Sequence, residues 1–140
     1  MPIACGSMSQ AAEAAIASMS QVWLDAVHGT LDTVLSKVED TLEVELESGG
    51  GVLTVGIEDK TWIVNRQVPV AEMWLASPLS GPSHCTVDST FNPHSPSTSD
   101  TPPHFECGTE GESLSGILRR EIETVLRRHG VEESVPDLLG

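Results

Sequence analysis

Between Glu43 and Ala76 the hydrophobic pattern leaves the helical period for alternation in short runs broken by turn residues. This stretch constrains the fold more than any other. Glu43-Val44-Glu45-Leu46-Glu47 alternates residue by residue, which sets Val44 and Leu46 on one face of a strand and three carboxylates on the other. Gly49-Gly50-Gly51 supplies the backbone freedom for a tight turn into Val52-Leu53-Thr54-Val55-Gly56-Ile57. Glu58-Asp59 turns the chain into Thr61-Trp62-Ile63-Val64-Asn65, and Pro69 ends that strand. Met73-Trp74-Leu75-Ala76 forms the next, stopped by Ser77-Pro78 and Gly81-Pro82. The expectation is a meander of four antiparallel strands.

A helix is expected on each side of it. Leu24, Val27, Leu31, Val34 or Leu35, Val38 and Leu42 recur at steps of three and four, so they share one face of an amphipathic helix. Its other face is as regular: Asp25, His28, Asp32, Ser36, Glu39 and Glu43, with Asp40 alongside, form an acidic ridge. Ser113 is a good N-cap for a second helix carrying Leu114, Ile117, Leu118, Ile122, Val125 and Leu126. Arg127, Arg128 and His129 suit its C-terminal dipole, and Gly130 its end. Packing both stripes on one sheet face gives an α+β two-layer sandwich with the other sheet face open. Residues 1–19, rich in Ala, Ser and Met, are expected to be a frayed lead-in to a domain over 20–130, and 131–140 a loosely packed tail. Within the domain, 88–104 is a long inserted loop rich in Pro, Ser and Thr, with short strands flanking it near Cys85-Thr86-Val87 and Phe105-Glu106-Cys107.

Composition narrows the partners. The net charge of −14 argues against nucleic acid or an anionic membrane, both of which require clustered Lys and Arg. No run of about 18 apolar residues is present. Between Asp25 and Asp59 nine carboxylates face one base, Lys37. Such crowding is relieved by a cation or a basic partner; otherwise it is a solvated face that maintains solubility. Cys5, Cys85 and Cys107 are odd in number and irregular in spacing, which indicates neither a disulfide framework nor a zinc finger. His94 and His104 lie near Cys85 and Cys107 in sequence, a weak case for zinc against that of an ordinary loop.

No GxSxG, HExxH or P-loop pattern is present, so an ordinary enzyme is not indicated. The ridge offers a different chemistry. Carboxylate oxygens with a supplementary imidazole suit a hard or borderline cation such as ferrous iron. On an exposed helix the attraction is screened, so binding should be weak and easily reversed. His28 could replace a carboxylate there or be a solvated surface histidine.

The stretch Asn65-Arg66-Gln67-Val68-Pro69-Val70-Ala71-Glu72-Met73-Trp74-Leu75-Ala76-Ser77-Pro78-Leu79-Ser80-Gly81-Pro82 resembles the signature strand of the frataxin family. Gly50-Gly51-Val52-Leu53-Thr54-Val55 and Trp62-Ile63-Val64-Asn65-Arg66-Gln67 resemble its second and third strands at the expected spacing. The resemblance implies the same helix–sheet–helix order. It also implies iron as a weakly bound ferrous or ferric ion on the first helix and first strand, carried here onto Asp32, Glu39 and Asp40 and onto Glu45 and Glu47, with His28 and Glu43 on the same ridge. Family carboxylate positions fall on Leu24, His28, Gly29 and Ser36, which implies fewer bound ions than in densely acidic relatives.

Trp74 is ordinarily a core residue type, yet alternation sets it opposite Met73 and Leu75, and only one set can face the helices. The resemblance implies that Trp74 lies on the open sheet face, with Asn65 and Gln67 nearby, and docks a complex of cysteine desulfurase and iron–sulfur scaffold protein. It thus implies a regulator of iron–sulfur cluster assembly and iron chaperone. The family is also credited with ferroxidase activity, but the sequence lacks the Glu-x-x-His pairs of a buried di-iron site. After Pro82 the family's basic and aromatic residues give way to Ser83-His84-Cys85-Thr86-Val87. The Ser-Pro-x-Ser-Gly-Pro stretch is similar to that of mitochondrial members, implying a mitochondrial matrix protein. The first 36 residues, with no Lys or Arg, lack the look of a presequence and suggest a mature form. The alternative reading is a metal-independent acidic adaptor, similar to a secretion chaperone, that binds basic partners.

Overall fold

The computed structural model describes residues 10–67, 72–87, 105–108, 112–136 and 138. Pro69, the inserted loop with His94 and His104, and Cys5 lie outside them. Helix α1 spans Gln10–Ser36, and strands β1 (Val44–Gly49), β2 (Val52–Ile57), β3 (Lys60–Gln67), β4 (Glu72–Ser77), β5 (Gly81–Val87), β6 (Phe105–Cys107) and β7 (Glu112–Ser113) follow before helix α2 (Leu114–Arg128). All seven strands form one sheet in sequential order, each antiparallel to the next.

Alternation separates the two sheet faces. Leu53, Val55 and Ile57 of β2, Trp62 and Val64 of β3, Met73 and Leu75 of β4, and Phe105 of β6 enter a single core with both helices. From α1 come Trp23, Val27, Leu31 and Val34, and from α2 Ile117, Leu118, Ile122 and Val125, all buried. Both helices therefore cover the same face, as expected. Trp23 meets Phe105 edge-to-face at 6.1 Å between ring centroids, a favoured aromatic geometry. Across the core, Trp62 Nε1 donates to the buried Glu121 carboxylate of α2 at 3.0 Å, and Ser77 Oγ donates to the same oxygen at 2.6 Å. None of the helices is long and apolar enough to cross a membrane among the described residues.

Local chemistry explains the turns and caps. Gly50 and Gly51 take φ of 60° and 80°, the two positive values of a type I′ hairpin turn, whose twist matches the strands it joins. Ser113 caps α2 by accepting from Gly116 N. At the other end Gly130, at φ 79°, lets Gly130 N and Val131 N reach back to Arg127 O and Leu126 O, which satisfies the last carbonyls.

Several expectations are corrected. Helix α1 starts at Gln10, so half of the expected lead-in is helical, and Met19 and Ser20 are buried. It ends at Ser36. Residues 37–42 are turns in which Val38 N bonds Leu35 O and Leu42 N bonds Val38 O, so Val38 and Leu42 reach the core without being helical. Glu39, Asp40 and Glu43 consequently do not belong to a helix face. The short strands expected beside the inserted loop form as β5 and β6, and β7 is added to the sheet; β5 begins as early as Gly81 despite Pro82, because β6 reaches only residues 85–87 and Pro82 has a single strand neighbour. Cys85 pairs directly with Cys107 in that register and is bonded to it as a disulfide, which removes both sulfurs from any zinc site. The tail is docked, not loose. Val135 and Leu138 are buried, Arg119 Nε donates to Val135 O at 2.7 Å, and Thr30 Oγ1 lies 3.5 Å from Leu138 O.

Candidate functional site

With the helices on one face, the outward residues of the strands make up the other. Their cross-strand rows are set by register: Asn65, Trp74 and His84 lie side by side across β3, β4 and β5, and Ile63, Ala76 and Pro82 form the next row. Trp74 is 38% exposed and Ile63 39%, unusual values for large apolar side chains. The Trp74 indole stacks on the His84 imidazole, with centroids 4.5 Å apart and planes within 8° of parallel. Glu72 ties the pair down from the row beyond. Its Oε1 accepts from Trp74 Nε1 at 2.6 Å and lies 3.5 Å from His84 Nδ1. The indole is thus held with one face on the imidazole and its polar edge satisfied.

The structure brings Asn65, Gln67 and Trp74 to this face. Asn65 lies opposite Trp74, and Gln67 opposite Glu72. Trp23 and Trp62, by contrast, are fully buried. His84 is the residue that the sequence reading passed over. The Ser77↔Gly81 turn register already fixes position 84 across from position 74, so strand pairing was the available signal.

The acidic residues are distributed differently from the expected ridge. His28 is half-buried and Asp32 exposed on α1, whereas Glu39 and Asp40 project from the turns that follow. Glu43 precedes β1, its N–H donating to the Glu58 carboxylate at 3.1 Å while its carbonyl accepts from Glu58 N at 2.8 Å. Glu45 and Glu47 are exposed on β1, the edge of the sheet, and alternate with Val44 and Leu46, which pack on the core. Their registers with Gly56 and Thr54 put them on the open face. Gly56 fits there because a Cβ would approach Glu45 Cβ at 3.2 Å. Among the described residues, no three His, Cys, Asp or Glu side chains converge as a ready-made metal site. A cation at this edge would keep much of its hydration and exchange readily.

A helix–sheet–helix order with one sheet face bare, an exposed aromatic at its centre and acids along its edge defines an α+β two-layer sandwich with an open sheet face. Residues 12–128 match the model of the frataxin-like domain. The chain belongs to the frataxin family. It is 37% identical over 62 residues to a frataxin homolog, mitochondrial, of Schizosaccharomyces pombe, covering 39% of this chain and 39% of that one. It is 30% identical over 117 residues to the iron-sulfur cluster assembly protein CyaY of Azotobacter vinelandii, covering 79% of this chain and 93% of the relative. Among solved structures, frataxin from Psychromonas ingrahamii superposes with a TM-score of 0.51 at 19% identity, over 86% of this chain and 98% of that one, a likeness of fold. The chain spans between 31% and 54% of the length of the relatives named mitochondrial.

Proposed function

We propose that this protein acts in iron–sulfur cluster assembly, docking through its open sheet face onto the cysteine desulfurase–scaffold complex and carrying ferrous iron as weakly held cargo at its acidic edge. The observation that carries this reading is Trp74, exposed at the centre of the face, stacked on His84 and hydrogen-bonded to Glu72. A large apolar ring that is oriented before binding loses little entropy on docking, and its rim of Asn65, Gln67 and Glu72 can satisfy polar groups of a partner. The names of the relatives, iron-sulfur cluster assembly protein among them, support the same process. Relatives named mitochondrial support a place in the mitochondrial matrix, whereas those named CyaY are bacterial. The role so proposed is that of a regulator and iron carrier and requires no covalent catalysis on this chain.

Trp74→Ala tests the docking. It should leave the melting temperature nearly unchanged while weakening binding to the desulfurase–scaffold complex by about 2 kcal/mol or more. A folded variant that binds normally refutes the assignment.

The alternative, a metal-independent acidic adaptor for basic partners, rests on the net charge of −14 and the carboxylates along the sheet edge. Titration with ferrous iron separates the readings, since an adaptor binds its partner equally well with iron present or chelated.

A further inference from the structure

We infer that the Cys85–Cys107 disulfide is an exchangeable bond, addressed from the surface at Cys107 by a small zwitterionic thiol of the glutathione class. The inference is independent of iron and of docking and rests only on the reducing compartment proposed above. The two cysteines face each other across β5 and β6, with Cα atoms 4.1 Å apart. They are not equally accessible. Cys85 is fully buried, whereas Cys107, 5% exposed, lines a surface pocket of about 270 Å³ together with Ser80, Ser83, Glu112, Ile117 and Arg120.

The pocket has the chemistry to hold such a thiol. Arg120 and Glu112 form an ion pair with side chains 59% and 41% exposed, so the pocket wall presents one charge of each sign to solvent. A thiol carrying both an ammonium and a carboxylate can engage both, the carboxylate on Arg120 and the ammonium on Glu112, while Ser80 and Ser83 offer hydroxyls. A thiol with no other charged group gains only the pull of Arg120 on its thiolate and none of the paired contacts. Since proteins in reducing compartments rarely keep permanent disulfides, a bond with a path for thiol entry there is one that turns over.

The chemistry balances without any metal. An incoming thiolate attacks Cys107 Sγ, a new sulfur–sulfur bond forms as the Cys85–Cys107 bond breaks, and Cys85 leaves as a thiolate that takes up a proton. A second thiolate attacks the small-molecule sulfur of the mixed disulfide and releases Cys107, which is protonated in turn. Two small thiols are oxidised to their disulfide, and the protein gains two electrons and two protons. The reverse steps reoxidise it. Besides the bond, β5 and β6 are joined by backbone pairing over residues 85–87 and 105–107.

The test uses the full chain carrying Cys5→Ser, oxidised, and exposed to glutathione or to 2-mercaptoethanol under native conditions. Thiol release is followed by alkylation and intact mass, and the acid-trapped mixed disulfide is mapped by digestion. Glutathione should form its adduct on Cys107, and Arg120→Gln should slow reduction by glutathione about fivefold while slowing reduction by mercaptoethanol distinctly less, since an exposed charge contact contributes on this scale. Glu112→Gln should act in the same direction. The inference is overturned by an adduct on Cys85, by equal slowing with both thiols, or by reduction at the rate of global unfolding.

Discussion

Replacing Glu121 with alanine should destabilise the domain by roughly 2–4 kcal/mol although the residue presents almost nothing to solvent. One oxygen of its carboxylate accepts from both Trp62 Nε1 and Ser77 Oγ. Trp62 is fully buried, so its orphaned indole N–H loses an acceptor that water cannot replace, at about 1–3 kcal/mol. Ser77 is half-buried and can recruit water, so its loss is smaller, and the missing methylene and carboxylate volume adds a cavity term. Ser77 Oγ also accepts from Leu79 N and Ser80 N, so the change loosens the turn that sets the β4–β5 register. At about 4 °C per kcal/mol for a chain of this size, the melting temperature should fall by roughly 8–16 °C. The internal control is Glu121→Gln. Its amide oxygen can accept both bonds, so it should cost less than about 1 kcal/mol. Urea unfolding followed by tryptophan fluorescence measures both variants. An alanine variant within about 0.5 kcal/mol of the parent, or a glutamine variant as unstable as alanine, would refute the shared-acceptor account.

Truncation after Gly130 should destabilise the fold by roughly 3–6 kcal/mol, because Val135 and Leu138 are buried and each such side chain contributes about 1.5–3 kcal/mol; calorimetry reads it directly. Ferrous iron should broaden NMR signals mainly at Asp32, Glu39, Asp40, Glu43, Glu45 and Glu47, and the effect should fade in high salt as exposed carboxylates are screened. Signals broadened elsewhere instead would remove that edge as the metal surface.

Helix α2 and the central strands were legible because each carries its own period. Ile117, Leu118, Ile122 and Val125 mark one stripe, and Ser113 and Gly130 bound it. The start of α1 was not legible, since alanine favours helix without forming an apolar stripe, and among the early residues only Met19 and Ser20 are described as buried. Its end was misread for a related reason. Val38 and Leu42 keep a helical spacing while sitting in turns, and periodicity cannot distinguish the two. The disulfide and the docked tail depend on long-range pairing, between Cys85 and Cys107 and between α1 and Leu138, which residue spacing does not encode. In the site, alternation set Trp74 opposite Met73 and Leu75, the family resemblance indicated which set faces outward, and the contact of Trp74 with His84 needed the register across the turn.

The sequential strand order sets the order in which the chain can be finished. Each hairpin from β1 to β5 closes through a short connection and can form as soon as its second strand exists, at small entropic cost. Helix α1 is in the opposite position. It packs on the nearby strands β1 and β2, yet its Thr30 lies against the carbonyl of Leu138, 108 residues later. Its contact with Leu138 therefore forms only once the segment beyond α2 has been made. Strand pairing can thus run ahead of the final closure of α1, and a partly made chain keeps some of that helix's apolar stripe uncovered.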